Sequence, residues 1–224
     1  MKFHCQRTGL SLIATASLLA GLGSVALANG PVRQLFNGRN LDHWQQIGPG
    51  SFIVSHGVMH TEGGMGMLWY RDEKFSDAII RVVFKLTGVE PDSGVFIRIP
   101  SAPADPWAAI NSGYEVEIGE WPDEYGRTGA IYSFSKVLVH AIKPAGRWNT
   151  MDIVIDGPRT TVTLNSIKVN DYVEGQDVPP RAADSGLPAS GPRPNSGYIG
   201  LQNHPGGRVF YKEISVRPLH SQGP

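Results

Sequence analysis

Beyond Asn29 the chain is a succession of strand-length apolar runs, each closed after a few residues by glycine, proline, asparagine or aspartate. Nowhere does an apolar stripe hold a 3.6-residue period long enough to build a bundle helix. With 27 glycines and 17 prolines in 224 residues, the pattern predicts an all-β fold of many short strands. They are expected near 51–55, 58–61, 66–70, 78–86, 94–99, 113–118, 129–134, 149–156, 160–164, 167–169, 198–203 and 209–217. No motif recurs at a fixed period, which argues against a propeller or solenoid. The segment 178–195 reads VPPRAADSGLPASGPRPN; its prolines deny it ladder donors, and it is expected to be a surface loop, either packing filler or a lid.

The first 28 residues stand apart. Lys2 and Arg7 precede an apolar run over 10–20, and Ala26-Leu27-Ala28 forms an A-x-A cleavage site, the layout of a secretory signal peptide. Cleavage there leaves one domain over 29–224 in a periplasmic or secreted protein with no membrane attachment. The lone Cys5 goes with the leader, so no disulfide, thiol nucleophile or cysteine metal site is expected in the remainder. Taking Lys2 and Arg7 from the 20 basic side chains leaves 18 against 20 acidic ones. So balanced a chain offers no field for a nucleic-acid backbone or an anionic bilayer, and neither is expected as a partner. A hydrophobic share of 41% against 18% charged is that of a chain with a packed core, not a disordered one.

Side chains alternate between the two faces of a strand, and three stretches use that alternation to separate apolar from polar groups. In GYEVEI, Tyr114, Val116 and Ile118 oppose Glu115 and Glu117. In GVFIRI, Val95, Ile97 and Ile99 oppose Phe96 and Arg98. In IGLQNH, Ile199 and Leu201 oppose Gly200, Gln202 and His204. If the polar faces share one sheet, Arg98, Glu115, Glu117, Gln202 and His204 converge on a patch suited to a carbohydrate. Carboxylates and amides hold hydroxyls, and Trp69, Trp107, Trp121 and Tyr132 are available to stack on a pyranose. The bland alternative is a solvated outer sheet face.

Two carboxylates on one strand also fit a glycosidase. The run Glu115-Val116-Glu117-Ile118-Gly119-Glu120 resembles the E-x-D-x-x-E strand of the family-sixteen glucanases, with Gly119 at the position of a bulge that would return Glu120 to the inner face. No cofactor is predicted. His140, His204, Glu115 and Glu117 leave room for a divalent metal, although no metal-ligand spacing links them. Gly63-Gly64-Met65-Gly66 lacks the following helix of a phosphate cradle, and no G-x-S-x-G occurs.

Six separated blocks resemble the 3-keto-disaccharide hydrolase family. They are Leu35-Phe36-Asn37-Gly38 through Trp44, Ser93 through Arg98, Gly113 through Ile118, Thr128 through Tyr132, Lys143 through Asn149, and Ile199 through His204. The resemblance runs from about Leu35 to Leu219 and implies a concanavalin A-like jelly-roll sandwich of two antiparallel sheets. It implies chemistry on glycosides oxidised at carbon 3, whose ketone acidifies the C2 proton so that a base expels the C1 substituent and water then adds. On that reading Glu115 or His204 is the base, Arg98 and Lys143 polarise the ketone, and Glu117, Gln202, Trp121 and Tyr132 bind the sugar. A non-catalytic carbohydrate-binding module and a bulged-strand glucanase are the competing readings.

Overall fold

The computed structural model describes residues 30–88, 90–178 and 191–220. The leader predicted over 1–28 and residues 179–190 of the proline-rich segment lie outside them. In chain order the strands are β1 (Arg33–Gln34), β2 (Trp44–Ile47), β3 (Ser51–Ser55), β4 (Val58–Glu62), β5 (Gly66–Tyr70), β6 (Ala78–Leu86) and β7 (Ser93–Ile99). After α1 (Pro106–Ser112), the one α-helix among the described residues, come β8 (Tyr114–Ile118), β9 (Asn149–Asp156), β10 (Arg159–Leu164), β11 (Ile167–Val173), β12 (Tyr198–Asn203) and β13 (Val209–Pro218). Among the described residues no helix is long and apolar enough to cross a membrane.

Two antiparallel sheets form a jelly-roll sandwich. One has the order β11-β10-β9-β6-β13-β4-β3, with β1 paired to β13; the other has five strands in the order β2-β5-β12-β7-β8. Between them lies the main core, where Ile80, Val82 and Phe84 of β6 and Met151, Ile153 and Ile155 of β9 join Val95, Ile97, Tyr114, Val116 and Ile118 of β7 and β8. Each such side chain is worth roughly 1.5–3 kcal/mol when fully removed from water. This burial fixes the register of the five-stranded sheet, because a one-residue slip would send the whole apolar set outward. The same constraint forces Glu115 and Glu117 onto the opposite, outer face.

That outer face is itself covered. Asp105 caps α1, accepting from the backbone N–H groups of Trp107 and Ala108 at 2.9 Å each, and Pro106 follows at the position where a missing N–H costs nothing. The helix lays Ala109 and Ile110 on Met67, Trp69, Phe96 and Ile99, making a second, smaller core outside the sheet. Beyond the free edge of β8, the chain over 127–135 docks by backbone bonds. Glu117 N–H donates to the Ala130 carbonyl, and Gly129 and Tyr132 N–H groups donate to the carbonyls of Glu117 and Glu115. The predicted strand over 129–134 is therefore a tightly turned edge segment, with Ser133 at φ 67° and the N–H groups of Phe134 and Ser135 both bonded to the Ile131 carbonyl.

One register shift changes the site. Phe96 pairs with Gly200 and Ile99 with Tyr198, so Ile97 and Arg98 together oppose Ile199, and Arg98 takes φ 57°. This is a β-bulge, and it inverts the alternation beyond it. Ile99 joins the outer cluster. Arg98, expected outside with the acids, turns inward.

Candidate functional site

Six of the eight residues selected from the sequence line one pocket of ≈ 510 Å³: Glu115, Glu117, Trp121, Tyr132, Gln202 and His204. The size suits a small-molecule ligand. Its floor is the outer face of β7, β8 and β12. Glu115 and Glu117 project from β8, Gln202 from β12, and His204 from just past the end of β12. Trp107 on α1 and Trp121 after β8 line the same pocket and are 56% and 48% exposed, so two indole faces stand at its mouth. Trp69 plays no such part; it is buried edge-on against Tyr198 at 4.9 Å in the outer cluster.

Arg98 and Lys143 are absent from this pocket. Arg98 is 0% exposed, and its guanidinium donates to the carbonyls of Gly157 at 2.7 Å and Pro194 at 3.1 Å and to Asn195 Oδ1 at 3.1 Å. It clamps the β9–β10 turn to the approach to β12, and the bulge is the reason. Lys143 lies in the loop leading to β9, in the other sheet, with Nζ donating to the Trp148 carbonyl at 3.1 Å. Neither cation is placed to polarise a ketone held by Glu115 and Glu117.

Sequence reasoning missed Asp92. It lines the pocket, is buried, and its Oδ2 lies 3.2 Å from His204 Nδ1. The Pro205 carbonyl lies 3.0 Å from the same nitrogen. A carbonyl only accepts, so Nδ1 carries the proton, and in the neutral ring Nε2 is left with its lone pair. Asp92 was legible: extending the alternation of β7 back from Phe96 and Gly94 places it on the pocket face.

The acids share one electrostatic problem. Glu115 and Glu117 are each 4% exposed, and burial pushes both carboxyls well above the usual carboxylate range. Asp92 raises Glu115 further, and Glu115 and Asp92 raise Glu117. Burial also raises Asp92, against the pull of His204, Trp121 and the Ser93 N–H. Glu115 Oε1 is buried without a hydrogen-bond partner. The result is two glutamic acids whose burial favours the protonated carboxyl beside an imidazole that can accept a proton, the division of roles that acid–base chemistry requires.

The bulged-strand arrangement does not form. Glu120 does not share the pocket of Glu115 and Glu117; it lines a separate hollow beside Glu90 and Pro91, 3.6 Å from Arg127. His140 is also elsewhere, paired with Glu124 at 2.9 Å. Among the described residues no three His, Cys, Asp or Glu side chains are grouped to hold a metal ion, so the metal alternative finds no preformed ligand set there.

Fold and site together define a lectin-like jelly-roll domain with an acidic, aromatic-rimmed pocket on the outer face of its smaller sheet. Residues 31–217 match the model of the 3-keto-alpha-glucoside-1,2-lyase-like domain, and the chain belongs to that family. Two solved candidate glycosyl hydrolases from Parabacteroides distasonis ATCC 8503 are similar. One is 25% identical with a TM-score of 0.68 over 84% of this chain and 99% of its own. The other is 18% identical with a TM-score of 0.71 over 89% and 98%. A Bacillus subtilis protein of unknown function with a galectin-like fold, 13% identical, superposes with a TM-score of 0.59 over 84% of this chain and 94% of its own. No curated protein matches the chain.

Proposed function

We propose that this protein cleaves the glycosidic bond of 3-keto-glycosides by elimination and hydration, in the periplasm or outside the cell. The observation that carries this reading is the pairing of buried Glu115 and Glu117, whose burial favours the protonated carboxyl, with a histidine whose Nδ1 is committed to Asp92 and Pro205. His204 Nε2 is the base that takes the C2 proton. The C2–H electrons form the C1–C2 double bond as the C1–O bond breaks, and the C3 oxygen carries the developing charge. With Arg98 and Lys143 engaged elsewhere, that charge falls to hydrogen-bond donors: the Gln202 amide, the Tyr132 hydroxyl and a protonated glutamic acid. Of the two acids, Glu115, with its unpartnered oxygen, supplies the proton to the departing oxygen. Water then adds its hydroxyl to C1 and a proton returns to C2. Family membership and the candidate hydrolases of the same fold support this reading.

Purified protein is incubated with matched glucosides and their 3-keto forms, with and without chelator, and the released aglycone is measured. Release from the keto forms alone is expected. Comparable release from unoxidised glucosides, or sugar binding with no release from either, contradicts the proposal.

A further inference from the structure

The pocket carries an unusual charge imbalance. Asp92, Glu115, Glu117 and Asp123 line it, and among the described residues no lysine or arginine does. The nearest cations in sequence are occupied: Arg127 lies 3.1 Å from Glu124 and 3.6 Å from Glu120, and Arg208 pairs with Glu62 at 2.7 Å. Arg98 is spent on main-chain carbonyls. The polar groups left for a ligand are carboxyls, one amide, one phenol, one imidazole and the Trp107 indole N–H. All of them suit hydroxyl groups, and none supplies the fixed positive charge that a sugar carboxylate, sulfate or phosphate requires when buried.

Glu115 gives a second and independent pointer. Its Oε1 is buried and has no partner within the protein, and the group sits in the pocket lining beside Gln202 and His204. A buried polar atom without a partner is costly. A ligand hydroxyl or ammonium satisfies it by donating, whereas an anionic oxygen approaching the same group either meets a like charge or requires the acid to stay protonated.

We infer that the glycosyl unit taken by the Asp92–Glu115–Glu117 pocket is a neutral or amino sugar, and that uronates and sulfated or phosphorylated sugars are rejected. This rests on the proposed reading that the pocket holds a glycoside, and it narrows the substrate class. Trp107 and Trp121 add to the selection. Their exposed rings accept the apolar face of a pyranose or aryl group, and aromatic faces attract cationic rather than anionic substituents.

The test uses three unoxidised ligands with one aglycone: 4-nitrophenyl glucoside, glucosaminide and glucuronide, titrated calorimetrically into the protein at neutral pH in both anomeric forms. The glucoside and glucosaminide are expected to bind, and the glucuronide at least about tenfold more weakly than the glucoside. Asp123→Asn, which takes an exposed carboxylate out of the pocket lining and is checked for folding by its thermal transition, is expected to narrow the glucoside-to-glucuronide ratio severalfold, which a purely steric exclusion would not do. Equal or tighter glucuronide binding, an unchanged ratio in Asp123→Asn, or no binding of any of the three overturns the inference. Because none of these ligands carries the ketone, selective binding with no release from a 3-keto-glucoside sinks the reaction proposal alone. Release from that substrate with no discrimination by charge sinks the inference alone.

Discussion

The carboxyl group of Glu115 folds over the Cα of Gly94 on the neighbouring strand, and a Cβ built on Gly94 would stand 2.2 Å from Oε1 and 2.5 Å from Cγ. The missing side chain at Gly94 is what lets the acid lie flat on the pocket floor. Gly94→Ala is expected to turn Glu115 into another rotamer, because Cγ as well as the carboxyl is displaced, while the ladder between β7 and β8 stays intact since no backbone atom is struck. The expected outcome is a fall of about tenfold or more in kcat/KM on a 3-keto-glucoside, with a thermal midpoint close to that of the parent. Unaltered kinetics would show that Glu115 does not need this seat.

Asp92 fixes the tautomer of His204 through the 3.2 Å contact to Nδ1. Asp92→Asn removes the negative charge that favours the imidazolium formed when Nε2 takes a proton. A loss of roughly 10²-fold or more in kcat/KM is expected, the scale of a general-base contribution. A structural role alone would lower the thermal midpoint and leave the turnover of the folded fraction intact, and that result would remove Asp92 from the mechanism.

The buried acids tie stability to pH. Burial raises the folded-state pKa of Glu117 above its unfolded value. Between the two values the native chain keeps a proton that the unfolded chain has released. Stability is therefore fully present below the ordinary carboxylate range and is lost as pH rises through the window up to the raised value. Glu117→Gln has no such proton. It is expected to flatten the dependence and to exceed the parent at neutral pH by about 1 kcal/mol, a rise of roughly 2–4 °C in Tm for a chain of this size. Thermal melts across pH check this; parallel curves for the two proteins would contradict it.

Arg98 is expected to matter for folding and not for turnover. Arg98→Met leaves the Gly157 and Pro194 carbonyls without their buried donor, at a cost of roughly 2–4 kcal/mol. Denaturant unfolding measures that loss, and the kcat of the folded fraction should stay at the parent value. Lost turnover at full stability would restore the guanidinium to the chemistry.

The fold was largely legible because burial between two sheets imposes strict alternation, and β6, β8, β9 and β12 display it in their sequences. β2 was missed because Trp44-Gln45-Gln46-Ile47 shows no alternation. The Asp105-Pro106 start of α1 is a readable helix signal that the surrounding strand rhythm obscured. Within the site, Glu115, Glu117, Gln202 and His204 follow from parity and stand together in the pocket. Parity failed at Arg98 because a bulge is a property of two paired strands. Nothing in Ile97-Arg98-Ile99 reveals that Ile199 opposes two residues, or that Gly197 lies where an added Cβ would meet the Arg98 backbone at 2.2 Å. Lys143 came from the family resemblance alone, and its loop belongs to the other sheet.

The elimination step is tested most directly by running the reaction of a 3-keto-glucoside in deuterated water and locating the label in the freed 3-keto sugar by mass spectrometry and NMR. Abstraction of the C2 proton followed by addition of water predicts one deuteron at C2 in each molecule released, and none at C2 in a control sugar incubated without enzyme for the same time. Aglycone release with ordinary hydrogen retained at C2 would mean direct displacement at C1 and would contradict the account.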